Sequence, residues 1–199
     1  MEKLNMSRDI YKQIADIKND TKIVTPTTER ELAEIYRIAY IMTNKNDFNL
    51  ILDLGTYMGF SALMLGMGLL DNEAKGEVIT VDNYGIGIEY SHITDVFNKY
   101  QLPIRQLNED VIKYIQNLSN NSIDIAFVDT AQNYNHVYNL LKLLLPKMKK
   151  FRSVLMIHDY YWGEIGVVKA INRILKDNTY YFQGYGNFDY LWWGVISNA

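Results

Sequence analysis

The chain contains no cysteine in 199 residues. Disulfides, thiolate metal sites and cysteine nucleophiles are therefore excluded as sources of stability or chemistry. It also lacks an excess of positive charge: 20 Lys and Arg stand against 23 Asp and Glu, a formal net charge of −3. That balance gives no electrostatic reason to expect a nucleic-acid partner. No run approaches the ~20 apolar residues of a membrane span, and Met1–Asn5 has no apolar core of signal-peptide length. The expectation is a soluble, cytoplasmic protein without a membrane partner. No repeat, linker or low-complexity segment divides the chain.

What is present is ordinary globular composition, 48% hydrophobic and 22% charged, enough to bury a full core. The length suits one domain. The expected division within it is a helical N-terminal cover over 1–45 and a core over 46–199. A homo-oligomer stays open.

Residues 49–66 carry the most information. Leu50–Leu54 is a nearly unbroken apolar run, as expected of a strand buried on both faces of a parallel sheet. Gly55 and Gly59 punctuate a tight turn, and Phe60–Leu70 reads as the following helix. Glycine lets the backbone turn sharply and lets a ligand come close, while free N–H groups at the helix start face the same place. The pattern is a nucleotide-type cradle; packing glycines without a ligand would give the same pattern.

Apolar spacing predicts a helix over 4–18, broken at Asn19-Asp20. A second runs from the Thr25-Pro26-Thr27-Thr28 start, with Glu29 and Glu31 in its first turn, to about Thr43. Strands are expected at Glu77–Asp82, Pro103–Leu107, Ser122–Asp129 and Ser153–Tyr160. Helices are expected at Ser91–Tyr100, from Asn108-Glu109-Asp110 to Leu118, at Asn135–Lys150 and at Glu164–Lys176, and a hairpin closes the chain over Tyr180–Ser197. Alternating strands and helices predict an α/β fold, a Rossmann-like doubly wound, mainly parallel sheet with a C-terminal antiparallel hairpin.

Three strands end in acids. Asp82 lies roughly 20 or more positions beyond the glycine turn, at a strand tip, where an acid accepts hydrogen bonds from ribose hydroxyls. Asp129 and Asp159 end the next two long strands. If those strands are neighbours, the two carboxylates stand about 5 Å apart and can share one hard divalent cation such as magnesium. Such an ion lowers the pKa of a bound hydroxyl. Capping of the following loops is the alternative for both aspartates. His158, at the strand tip, is the candidate base or third metal-side ligand, since the reference pKa near 6.5 suits proton transfer; a buried, hydrogen-bonded histidine is the alternative. Tyr160, Tyr161 and Trp162 are candidates to wall a pocket, with aromatic core packing the equal alternative.

The spacing Asp53-x-Gly55-x-x-x-Gly59-x-Ser61 resembles motif I of class I S-adenosylmethionine-dependent methyltransferases. The likeness is to small-molecule O-methyltransferases of the catechol O-methyltransferase type and their bacterial relatives, over residues 25–176. Phe127-Val128-Asp129 and Ile157-His158-Asp159-Tyr160 are similar to the metal-binding strand ends of that family. The resemblance implies a cofactor site at Asp53, Gly55, Tyr57, Gly59, Ser61 and Asp82, with adenine held at Asn108, Glu109 and Asp110, although a plain helix cap explains Asn108 equally well. It also implies a metal at Asp129 and Asp159, and a small-molecule acceptor methylated on oxygen. Two departures stand out. The family's basic residue near Gln132 is absent, which leaves the general base open, and Lys149–Arg152 replaces a Pro-Gly-Gly turn. A non-catalytic binder of the nucleoside with the same fold is the alternative function. A nicotinamide fingerprint fits less well, because its second glycine would fall at Tyr57.

Overall fold

The computed structural model describes residues 9–84, 90–160, 166–177 and 182–197. A seven-stranded sheet runs through it: β1 (Asn49–Leu54), β2 (Gly76–Asp82), β3 (Ile104–Asn108), β4 (Ile125–Val128), β5 (Phe151–Ile157), β6 (Phe182–Phe188) and β7 (Leu191–Ser197). The strand order is β3-β2-β1-β4-β5-β7-β6. The first five strands are parallel, and β7 pairs antiparallel with both β5 and β6. Order reverses between β1 and β4, and open α/β sheets hold ligands outside the carboxyl ends of the strands at such a point.

The apolar run of β1 is explained by burial on both sides. Ile51 joins the core on one face, with α1 (Ile10–Thr21), α2 (Glu29–Met42), α3 (Phe60–Asp71) and α4 (Tyr90–Lys99). Leu52 and Leu54 join the core on the other, with α5 (Val111–Gln116), α6 (Tyr134–Leu144) and α7 (Gly166–Lys176). Each fully buried leucine contributes about 1.5–3 kcal/mol of transfer free energy. The fold is the expected doubly wound sheet with its closing hairpin.

Strand and helix ends shift by one to several residues from the sequence expectation, and the helix ends have identifiable causes. Helix α1 passes through Asn19-Asp20 and ends at Lys22, whose left-handed φ of 57° stops it. Tertiary support overrides the weak propensity there, since Thr21 is buried and Asp20 meets Lys99 and Tyr100 of the α4 end. Helix α6 stops at Leu144 and tightens into a 3₁₀ turn at Leu145–Lys147, because Pro146 cannot continue an α-helix. The cap of α5 is Asp110, which accepts the Lys113 N–H at 2.9 Å, and not Asn108. Leu4 and Glu164 lie outside the described residues.

Candidate functional site

The turn after β1 is shaped by contacts within the protein. Gly55 has φ 100°, and a Cβ there would lie 1.9 Å from the Asp129 carbonyl oxygen, so only glycine lets the ends of β1 and β4 approach. Gly59 has φ 80°, and a Cβ would lie 2.7 Å from Ile93 and 2.9 Å from Phe97 of α4. Its bare α-carbon thus faces helix packing, a reason for glycine additional to the one read in the sequence. Between them, Tyr57 adopts φ 45° and is half exposed, with its N–H donating to Asp82 Oδ2 at 2.9 Å. The other Asp82 oxygen accepts the Tyr84 N–H, also at 2.9 Å. The β2 acid therefore braces the glycine loop, and each oxygen keeps a further lone pair for a ligand.

Asp53 lies fully buried beneath this loop. Thr80 Oγ1 donates to its Oδ2 at 2.5 Å and in turn meets Thr56 Oγ1 at 2.5 Å, while Oδ1 has no hydrogen-bond partner among the described residues. Burial pushes the carboxyl up to about 7, partly offset by the Thr80 and Ser61 hydroxyls and reinforced by the charges of Asp129 and Asp82. Ser61, in the first turn of α3, is buried against the cleft.

A cleft of about 270 Å³ opens over the loop. Gly55, Thr56, Tyr57 and Ser61 line one side, Asp129, Gln132 and Asp159 another, and Thr25–Thr27 of the α1–α2 connection a third. The helical prelude thus covers a sheet face and reaches the cleft as well. Asn108 pairs with Asp82 in the β2–β3 register, and the Glu109 N–H donates to the Asp82 carbonyl at 3.0 Å, which sets the β3 end beside the β2 acid and outside the cleft wall. Tyr160 packs with the α6–α7 core, and Tyr161 and Trp162 lie outside the described residues.

Strands β4 and β5 are neighbours, as the shared-carboxylate expectation required. Strand β5 ends at Ile157, so His158 and Asp159 occupy the turn beyond it, Asp159 with φ 58°. His158 Nδ1 stands 3.3 Å from Asp129 Oδ2 and 3.4 Å from Asp159 Oδ1. One donor atom from each of the three residues falls within 4.8 Å of the others. Gln132 Nε2 donates to Asp159 Oδ2, which leaves Oδ1 toward the cluster. In the family resembled, a base is expected near this position; here the amide holds the Asp159 carboxylate in place.

Glu31 completes the arrangement from α2. It is fully buried, and its Oε1 lies 3.5 Å from His158 Nε2. Its Oε2 accepts from the Thr28 N–H and hydroxyl at 2.9 Å, and Oε1 accepts the Tyr190 N–H at 2.9 Å. Burial alone would raise its carboxyl, but His158 and the Thr28 hydrogen bonds outweigh that and hold it below the usual range. For His158, burial favours the neutral ring, but the carboxylates of Asp129, Asp159 and Glu31 prevail and push it up to about 12. His158 is only 7% exposed and sits behind the cleft-lining Asp129 and Asp159, with Nδ1 turned to those two carboxylates and Nε2 to Glu31. Glu31 had a signal in the sequence, the Thr28-x-x-Glu31 capping box, but only the fold brings it to His158.

The strand order, the glycine loop and the acids at the strand ends define a Rossmann-like methyltransferase fold. The same architecture occurs in the S-adenosylhomocysteine-bound methyltransferase PaMTH1 of Podospora anserina, at 16% identity over 93% of this chain and 88% of that one, TM-score 0.71. It occurs also in the O-methyltransferase TomG of Streptomyces achromogenes, involved in tomaymycin synthesis and solved with S-adenosylmethionine, at 11% identity over 98% and 92%, TM-score 0.65. A Bacillus cereus O-methyltransferase in complex with S-adenosylhomocysteine matches at 13% identity over 98% and 94%, TM-score 0.64. Residues 52–160 match the family model of the methyltransferase domain, and the chain belongs to that family. It is an S-adenosylmethionine-dependent methyltransferase. No functionally curated protein sequence matches the chain. Among the described residues no helix is long and apolar enough to cross a membrane.

Proposed function

We propose that the protein is a single-domain, cytoplasmic enzyme that transfers the methyl group of S-adenosylmethionine to a hydroxyl of a small molecule, with a divalent cation at Asp129 and Asp159. The observation that carries the reading is the convergence of Asp129, His158 and Asp159 beside a cleft floored by the glycine loop. The donor set fits a cation, since two carboxylates and an imidazole present ligand atoms to one point. The cofactor fits the glycine loop and its flanking acids: Asp82 offers lone pairs to ribose hydroxyls, Tyr57 and Ser61 wall the cleft above the buried Asp53, and Asn108 at the end of β3, with Glu109 and Asp110 after it, would lie on the adenine side.

When bound, a cation would supply Lewis acidity that lowers the acceptor's pKa. Asp129, whose side chain is 28% exposed against 15% for Asp159, is the better placed carboxylate to take the hydroxyl proton. The acceptor oxygen then forms a C–O bond to the methyl carbon with its lone pair. The C–S bond breaks in the same step, and its electrons remain on sulfur as the neutral thioether. Much of the rate would come from in-line positioning by the cleft walls.

The test is incubation with methyl-labelled S-adenosylmethionine and a panel of catechols and phenols, with and without chelator. Label is expected on an acceptor oxygen, lost on chelation and restored by added cation. Transfer at full rate in chelated, metal-free protein would contradict the cation's role.

A further inference from the structure

Resting on the reading of Asp129 and Asp159 as cation ligands, we propose that His158 Nδ1 is a third ligand oriented by Glu31. The site would then prefer a first-row transition ion such as manganese(II), iron(II) or cobalt(II) to magnesium. Nδ1 stands 3.3 and 3.4 Å from the two carboxylate oxygens. Adjacent ligands on an octahedral ion with bonds near 2.1 Å are roughly 3 Å apart, so small movements close the three donors around one ion.

The opposite ring edge explains why Nδ1 would be the ligand. Nε2 is buried and has no hydrogen-bond partner among the described residues, and the carboxylate beside it is Glu31 at 3.5 Å. Metal-binding histidines almost always direct their other ring nitrogen to a carboxylate or carbonyl, which fixes the tautomer and the ring's orientation. Glu31 is itself immobilised, by Thr28 on one oxygen and the Tyr190 N–H on the other. The Phe127 ring, 6.2 Å from the imidazole centroid, packs beside His158. A mixed nitrogen and oxygen set shifts preference away from magnesium, which favours oxygen ligands, toward ions that accept imidazole.

The test is titration of the full chain with Mn²⁺, read by pulsed electron paramagnetic resonance. The expected result is one bound ion with a directly coordinated nitrogen, displaced by magnesium only in large excess. Glu31→Gln should weaken Mn²⁺ binding about 10–100-fold while S-adenosylhomocysteine still binds normally. Glutamine serves in a capping box as well as glutamate, so the start of α2 is preserved. A bound Mn²⁺ with only oxygen and water ligands would overturn the nitrogen ligand and leave the two-aspartate reading standing. Unchanged Mn²⁺ affinity in Glu31→Gln would overturn the orienting role. Absence of any bound Mn²⁺ would overturn both this inference and the cation site beneath it.

Discussion

Glu31 and His158, 127 positions apart in sequence, meet with Oε1 3.5 Å from Nε2. The contact ties the cap of the N-terminal helix α2 to the turn that holds Asp159. The helical prelude is therefore coupled mechanically to the candidate site, and changes at the start of α2 should be felt there.

Thr28→Ala tests that coupling. It removes the hydroxyl that accepts the Glu31 N–H at 3.2 Å and donates to Glu31 Oε2 at 2.9 Å. Loss of the cap should cost about 1 kcal/mol in chemical denaturation, and Mn²⁺ affinity should fall as Glu31 gains freedom. A full loss of stability with unchanged cation affinity would show that the capping box and the site are independent.

The Asp53 carboxyl gives a pH dependence. Its pKa is raised to about 7 by burial, above an unfolded value near 3.9. The folded state therefore holds the proton more tightly, and stability from this group falls as pH climbs from about 4 to about 7. Asp53→Asn removes that dependence. The stability of the variant relative to wild type should rise across this window, with an upper bound of about 4 kcal/mol. Denaturation midpoints that stay parallel from pH 4 to pH 8 would contradict the raised pKa.

Gly59→Val should act on stability. The added carbons meet Ile93 and Phe97 at a backbone φ of 80°, and overpacking costs typically about 1–3 kcal/mol, with backbone strain in addition. Thermal and chemical denaturation should show the loss. Native stability combined with abolished S-adenosylhomocysteine binding would instead place Gly59 at the ligand.

These cases show which parts of the fold were legible. The parallel strands could be read because burial on both faces forces runs such as Leu50–Leu54 to be apolar, and the three acids at strand ends lay where the β-run stopped. The strand–glycine–helix spacing located the loop, but not why Gly59 is glycine, since that depends on α4 packing from 34 and more positions away. The leucine spacing of α6 continues past Leu144, but Pro146 lacks the N–H that an α-helix needs and ends it there. Glu31 and Gln132 were out of reach for a different reason: each acts on a residue brought to it only by the sheet, His158 and Asp159 respectively.

On the proposed function, the cleft over the β1 turn binds the methyl donor with Asp82 at its ribose. Calorimetric titration of S-adenosylhomocysteine into wild type and Asp82→Ala tests it most directly. One saturable site is expected in wild type, and a loss of about 1.5–3 kcal/mol in the variant for hydrogen bonds to a charged group. Circular dichroism should show both proteins folded. A folded Asp82→Ala protein that binds with undiminished affinity, or a wild type that does not bind at all, would contradict a methyl-donor site with Asp82 at the ribose.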